Sequence, residues 1–79
     1  MILLFQKENC PYCAKVRNAL TQLGISYVTV NSVKGTPARA LQVKWGGQDQ
    51  VPFLVDIEKG ITMYESDDIV QYLTQTYGQ

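Results

Sequence analysis

Ile2-Leu3-Leu4-Phe5 is an unbroken apolar run that gives way to the polar Gln6-Lys7-Glu8. A run this short suits a strand buried on both faces of a sheet. From Cys13 the apolar positions step to Val16, Leu20 and Leu23, with Lys15, Arg17 and Gln22 on the other side. That stripe predicts an amphipathic helix, and Gly24 supplies its stop. Tyr27-Val28-Thr29-Val30 is β-branched and aromatic and reads as a second strand, followed by a polar turn over Asn31 to Gly35.

Thr36-Pro37 opens a second helix, the hydroxyl capping it and the proline ring filling its first position. Ala38, Leu41 and Trp45 continue one apolar face, which places Trp45 in the core, and Gly46-Gly47 ends the helix. Phe53 to Ile57 and Ile61 to Tyr64 flank Glu58-Lys59-Gly60, the pattern of an antiparallel hairpin. Ser66 with Asp67 and Asp68 forms a capped, acid-rich helix start, and Ile69, Tyr72, Leu73, Thr76 and Tyr77 give that helix its buried side. The order is β-α-β-α-β-β-α: an α/β protein whose four strands form a mixed sheet flanked by three helices. Such a sheet binds ligands at the carboxyl ends of its strands, which points to the loop from Lys7 to Cys10.

Composition narrows the chemistry. Seventy-nine residues make one domain, spanning 1–79, and 46% hydrophobic residues with 10% aromatics supply a modest core. Seven basic and seven acidic side chains cancel, so no field is expected to hold nucleic acid or an anionic membrane surface. The chain has no His. Imidazole-dependent hydrolases, Cys2His2 zinc sites and H-E-x-x-H metalloproteases are thereby excluded. Met1 to Phe5 lacks a basic n-region and a cleavage site, and no stretch approaches the roughly 18 apolar residues of a membrane span. A reducing, cytoplasmic setting is expected, in which a cysteine pair serves redox or metal chemistry and not stapling.

The pair is Cys10-Pro11-Tyr12-Cys13. Proline favours the first helical position, so with Pro11 there Cys10 becomes the N-cap, its sulfur facing the free amides of Tyr12 and Cys13. Those donors, the helix dipole and the charge of Lys7 all favour a thiolate. A free thiol with pKa of about 8.5 is only a few per cent ionised at neutral pH, and helix-start CxxC pairs lower that to roughly 3.5–7.5. A fall of about two units, about 2.7 kcal/mol, makes most of the sulfur reactive. Cys13, one turn further in and more buried, is then the resolving partner. An inert buried thiol pair and half of a metal site are the other readings. The metal reading needs two more ligands, from a second chain or an external thiol, because no other Cys and no His exists.

Two further features sit elsewhere. Pro52 stands at the mouth of a strand. It either trims an edge or belongs to a cis Val51-Pro52 bond that turns the Val51 backbone outward to pair with an extended peptide-like substrate. The Ser66-Asp67-Asp68 helix start is an ordinary cap, or one whose amides bind a carboxylate while Asp67 or Asp68 meets an ammonium, as an α-amino acid end requires.

Taken together, CPYC at 10–13, Lys7 three before it, VP at 51–52 and SDD at 66–68 make the chain resemble the glutaredoxin family over essentially its whole length. The resemblance implies a thioredoxin fold and reduction of protein disulfides and glutathione mixed disulfides, with glutathione as reducing co-substrate and no metal. It implies a glutathione site with the tripeptide's sulfur at Cys10, its cysteinyl backbone on Val51 beside Pro52 and its γ-glutamyl end at Ser66 and Asp67. The glycine carboxylate falls near Lys7 and Tyr12, with Pro11 also in contact. Two departures stand out: Gln50 precedes Val51 where the family usually has Thr, and Tyr64-Glu65-Ser66 replaces a Gly-Gly. Glu65-Ser66 looks like the glutathione-binding turn of glutathione transferase N-terminal domains. The expected partners are glutathione and disulfide-containing or glutathionylated proteins, with the protein a monomer. A non-catalytic glutathione-binding module and an iron–sulfur cluster carrier built from two chains and two glutathiones are the alternatives.

Overall fold

The computed structural model describes residues 1–78. Its elements are β1 (Ile2–Gln6), α1 (Pro11–Gln22), β2 (Tyr27–Asn31), α2 (Pro37–Gly46), β3 (Phe53–Asp56), β4 (Ile61–Met63) and α3 (Ser66–Tyr77). The sheet runs β2-β1-β3-β4. β1 pairs parallel with β2, Leu4 opposite Thr29, and antiparallel with β3, Leu4 opposite Leu54. β3 pairs antiparallel with β4, Val55 opposite Thr62. This is the expected mixed sheet with three helices, a thioredoxin fold; the hairpin strands each end one residue earlier than expected, leaving Ile57 exposed.

Alternation along the two central strands splits the core into two layers. On one face Ile2, Leu4 and Leu54 pack against Val16 and Leu20 of α1 and Ile69 and Leu73 of α3. On the other, Phe5, Phe53 and Val55 pack with Leu3, Val30 and Tyr64. Each fully buried side chain of this kind contributes about 1.5–3 kcal/mol, so these two layers carry most of the driving force.

α1 closes with a Schellman arrangement: the Ile25 amide donates to the Leu20 carbonyl at 2.9 Å and the Gly24 amide to Thr21 at 3.1 Å, with Gly24 at φ 69°. α2 departs from expectation. Its apolar stripe does not face the core: Leu41 is 53% and Trp45 46% exposed, while Arg39 and Gln42 are buried. Trp45 touches the core only by its edge, its ring 6.1 Å from Phe5 and 6.5 Å from Phe53 and steeply inclined to both. The Thr36 hydroxyl does not cap α2; it donates backwards to the Val33 carbonyl at 2.6 Å. In α3 the buried positions are Ser66, Ile69 and Leu73, with Tyr72 and Tyr77 half-buried, and Thr76 is exposed because it lies past the stripe's edge. Ser66 is not the cap of that helix either: Glu65 holds the N-cap position at φ 70°, and Ser66 is its first helical residue.

Candidate functional site: a thiol pair beside an acidic groove

Cys10 is the N-cap of α1, extended at φ −98° and ψ 118°, and Pro11 follows in the first turn. The Cys10 carbonyl accepts the first helical bond from Ala14 at 3.0 Å, and the Cys10 amide donates to Lys7 at 3.3 Å, which closes the preceding loop into a turn. Burial works to raise the Cys10 pKa, yet the Cys13 amide, the Cys13 thiol, the Tyr12 amide and the Lys7 charge together bring it below its ordinary value. The neutral thiol does not complete a formal cap hydrogen bond. The amides lie close enough to favour the anion, which is the better acceptor.

Cys13 is fully buried, and Cys10 is half-buried. Burial pushes the Cys13 thiol up to about 11, reinforced by the Cys10 sulfur and only partly offset by the Lys7 amide and the Arg17 charge. The two sulfurs are thus pulled apart in acidity. One is poised to ionise and the other to stay protonated until needed.

Beside this helix start lies a groove of about 550 Å³ lined by Tyr12, Gln50, Val51, Pro52, Glu65, Ser66, Asp67 and Asp68. It therefore gathers three stretches far apart in the chain: Tyr12 from α1, the segment before β3, and the first turn of α3. The Val51-Pro52 bond is cis, and the Val51 backbone takes no partner in the turns, loops or caps of the described residues. The α3 start has no side-chain cap, so its first amides face the groove region without a side-chain acceptor. Of the residues singled out in the sequence, Tyr12, Val51, Pro52, Ser66 and Asp67 line the groove, whereas Lys7, Cys10, Pro11 and Cys13 stand outside it.

Sequence reasoning left out several neighbours. Gln50 donates across the groove to Glu65 Oε2 at 2.9 Å, so both departures noted in the sequence meet there. Lys15 pairs with Asp67. Arg17 bonds the Gln6 side chain and donates to the Lys7 and Glu8 carbonyls at 3.3 Å each, pinning the loop that leads to Cys10. The sequence placed Arg17 on the polar side of α1; in the fold it is half-buried, because residues four apart share a helix face and Cys13 is buried. Among the described residues no group of three or more His, Cys, Asp or Glu is placed to hold a metal ion, and no helix is long and apolar enough to cross a membrane.

The class of protein is a thioredoxin fold with a cysteine at the first helix's N-cap and a cis-proline just before β3. The family of the glutathione S-transferase N-terminal domain matches residues 4–79, and the chain belongs to it. The chain is similar to a glutaredoxin of Ricinus communis, 35% identical over 54 residues that cover 65% of this chain and 53% of that protein. It is also similar to the chloroplastic glutaredoxin-C4 of Oryza sativa subsp. japonica, 29% identical over 84 residues that cover 94% of this chain and 63% of that protein. Among solved structures, glutathione S-transferase 1-6 from Anopheles dirus species B superposes with a TM-score of 0.87 at 28% identity, covering 98% of this chain and 36% of that one. The chain thus spans 53% and 63% of these two curated relatives and about a third of the transferase. Both resemblances noted in the sequence, to glutaredoxins and to transferase N-terminal domains, are found.

Proposed function

We propose that this protein is a glutathione-dependent thiol–disulfide oxidoreductase acting on protein disulfides and glutathione mixed disulfides. The observation that carries the reading is Cys10, an acidified thiol at a helix start with the protonated Cys13 one turn behind it. The glutaredoxin relatives and the family support the glutathione link. Thiolate Cys10 attacks the glutathione sulfur of a mixed disulfide; a Cys10–glutathione bond forms, and the protein's sulfur leaves as a thiolate that takes up a proton. A second glutathione thiolate then attacks the glutathionyl sulfur, so that oxidised glutathione departs and the Cys10 thiolate returns. Alternatively Cys13 gives up its proton and attacks the Cys10 sulfur. This releases glutathione and leaves a Cys10–Cys13 disulfide that two further glutathiones reduce.

In this reading the cysteinyl backbone of glutathione pairs with Val51 beside Pro52. Its γ-glutamyl end meets Ser66 and Asp67, and its glycine carboxylate lies toward Lys7, Pro11 and Tyr12. Residues 1–79 act as one domain and as a monomer, and a reducing compartment such as the cytoplasm keeps both thiols available. A second reading, a glutathione-binding module without turnover, is favoured by the transferase family and by Glu65-Ser66 on the groove wall.

A glutathione-coupled disulfide reduction assay separates the two. Cys10→Ser abolishes turnover under the oxidoreductase reading, and Cys13→Ser abolishes reduction of protein disulfides while sparing removal of glutathione from proteins. Turnover that survives Cys10→Ser sinks the oxidoreductase. Binding of glutathione with no turnover by the unaltered chain selects the module.

A further inference from the structure

The inward face of α2 is polar and almost fully paired. Ser32 and Gln42 are completely buried and Arg39 is 6% exposed. Buried polar groups of this kind are costly unless they find partners, so their bonds deserve an accounting. The Ser32 hydroxyl donates to Gln42 Oε1 at 2.5 Å and accepts from Arg39 Nε at 3.0 Å. Arg39 also donates to the Ser32 carbonyl at 2.6 Å and to Asp49 Oδ1 at 2.8 Å. The Gln42 amide nitrogen points out of this cluster, donating to the Gln50 carbonyl and, at 3.4 Å, to the Gln48 carbonyl.

Gln50 immediately precedes Val51 and Pro52, and the three form one wall of the groove. Its carbonyl is held from behind by Gln42, and its side chain is held from the opposite wall by Glu65. Tyr64 restrains the same loop two residues upstream by donating to the Gln48 carbonyl at 2.9 Å. With Leu41 and Trp45 turned to solvent, this hydrogen-bond array, more than apolar packing, ties α2 to the segment before β3.

We propose that Gln42 is a positioning residue for glutathione: by fixing the Gln50 carbonyl it sets where Val51 presents its backbone to the cysteinyl part of the tripeptide. Affinity for glutathione is then tuned from the buried side of α2 without any contact between Gln42 and the ligand. The inference rests on the glutathione-dependent reading above.

The test compares the full chain with Gln42→Glu, which keeps the shape and the Oε1 acceptor for Ser32 but turns an oxygen toward the Gln50 carbonyl. A second variant, Ser32→Ala, releases the Gln42 head group and leaves Arg39 Nε without its hydroxyl acceptor, while the bonds of Arg39 to the Ser32 carbonyl and Asp49 remain. The expected result for Gln42→Glu is a KM for glutathione raised about tenfold, with kcat at saturating glutathione and the rate of Cys10 alkylation by iodoacetamide within about twofold of the parent. Ser32→Ala moves KM in the same direction by less. An unchanged KM in folded Gln42→Glu overturns the proposal; if that variant does not fold, an unchanged KM in Ser32→Ala does. Equal loss of KM, kcat and alkylation rate also overturns it, because that is the signature of general disruption. If the parent chain shows no saturable dependence on glutathione, the functional reading falls and takes this inference with it. A saturable parent with indifferent variants overturns this inference alone.

Discussion

Lys15, on the exposed side of α1, is paired with Asp67 in the first turn of α3. The carboxylate proposed to meet a ligand ammonium is thus already engaged by a cation from α1, the helix that Cys10 caps. Both side chains are well exposed, at 52% and 79%, so the pair adds little stability. Under the proposed function it sets up a competition, since the γ-glutamyl ammonium and the lysine would seek the same oxygens.

Removing the competitor is therefore expected to help binding. Lys15→Ala lowers the KM for glutathione by up to about fivefold and changes stability by less than about 0.5 kcal/mol, whereas Asp67→Ala raises KM. Steady-state kinetics with a parallel urea titration reads both. A KM for Lys15→Ala equal to or above that of the parent would remove Asp67 from the ammonium site.

The divergent acidities of the thiols predict their reactivity with pH. Cys10 lies below the ordinary thiol value and Cys13 is raised to about 11. Alkylation of the native, reduced protein is expected to label Cys10 alone, with a midpoint below 9.0, and Cys13 only after unfolding. For stability the signs are opposite. The raised Cys13 pKa contributes stability that is fully present below 9.0 and lost as the pH rises through about 11. The lowered Cys10 pKa contributes stability present above 9.0 and lost as the pH falls through its folded value. Mass spectrometry of labelled peptides across pH checks the order of reaction, and equal labelling of both sulfurs contradicts it.

Asp56, at the opposite end of β3 from the groove, is completely buried and accepts from the Tyr72 hydroxyl at 2.7 Å and from the Tyr77 hydroxyl on the same oxygen. Its other oxygen has no partner among the described residues; the Lys59 amide favours the anion without donating a hydrogen bond to it. Burial opposes ionisation, but the two tyrosines hold the carboxyl below its ordinary 3.8. Its contribution is thus present above 3.8 and lost as the pH falls through the lowered folded value. Burial, then the bond to Asp56, pushes Tyr72 up to about 12, so that contribution is present below 10.0 and lost as the pH rises through about 12. Asp56→Asn is expected to destabilise the fold by about 2 kcal/mol, because charge-assisted bonds outweigh relief of the orphan oxygen. It should also lower the tyrosine titration midpoint. Urea unfolding at neutral pH and ultraviolet tyrosinate titration measure the two effects, and a variant as stable as its parent refutes the first.

Gly46 ends α2 against the second core layer. A Cβ there would meet the Tyr64 hydroxyl and come within 2.7 and 2.8 Å of Phe53 ring carbons. Neither wall yields easily: Tyr64 and Phe53 stack with centroids 4.6 Å apart, and the Tyr64 hydroxyl is bonded to Gln48. Helix propensity favours Ala by about 1 kcal/mol, while overpacking costs about 1–3 kcal/mol. Gly46→Ala is accordingly expected to lose about 1 kcal/mol in urea unfolding. A gain in stability would mean that α2 moves away from β3 without penalty.

Most of the architecture and half of the site can be read along the chain. The strands of the core, the Cys10–Cys13 helix start and the hairpin around Gly60 follow from neighbours within a few positions: an apolar run, a proline after a cysteine, a glycine at φ 67°. The reading failed at α2, where Leu41 and Trp45 made the more apolar stripe and yet face solvent. There the hydrogen-bonding demands of Ser32, Arg39, Gln42 and the Gln50 carbonyl decide the helix's rotation. Single-chain periodicity has no access to partners that arrive from another segment.

Local order thus determined which thiol sits on free amides, because an N-cap and its donors are separated by only two or three residues. Tertiary structure alone decided that Gln50 bonds Glu65, that Lys15 takes Asp67 and that Tyr12, Gln50, Glu65 and Asp67 line one groove. Those contacts join segments brought together only when the sheet closes and the helices dock, and no spacing rule along the chain encodes them.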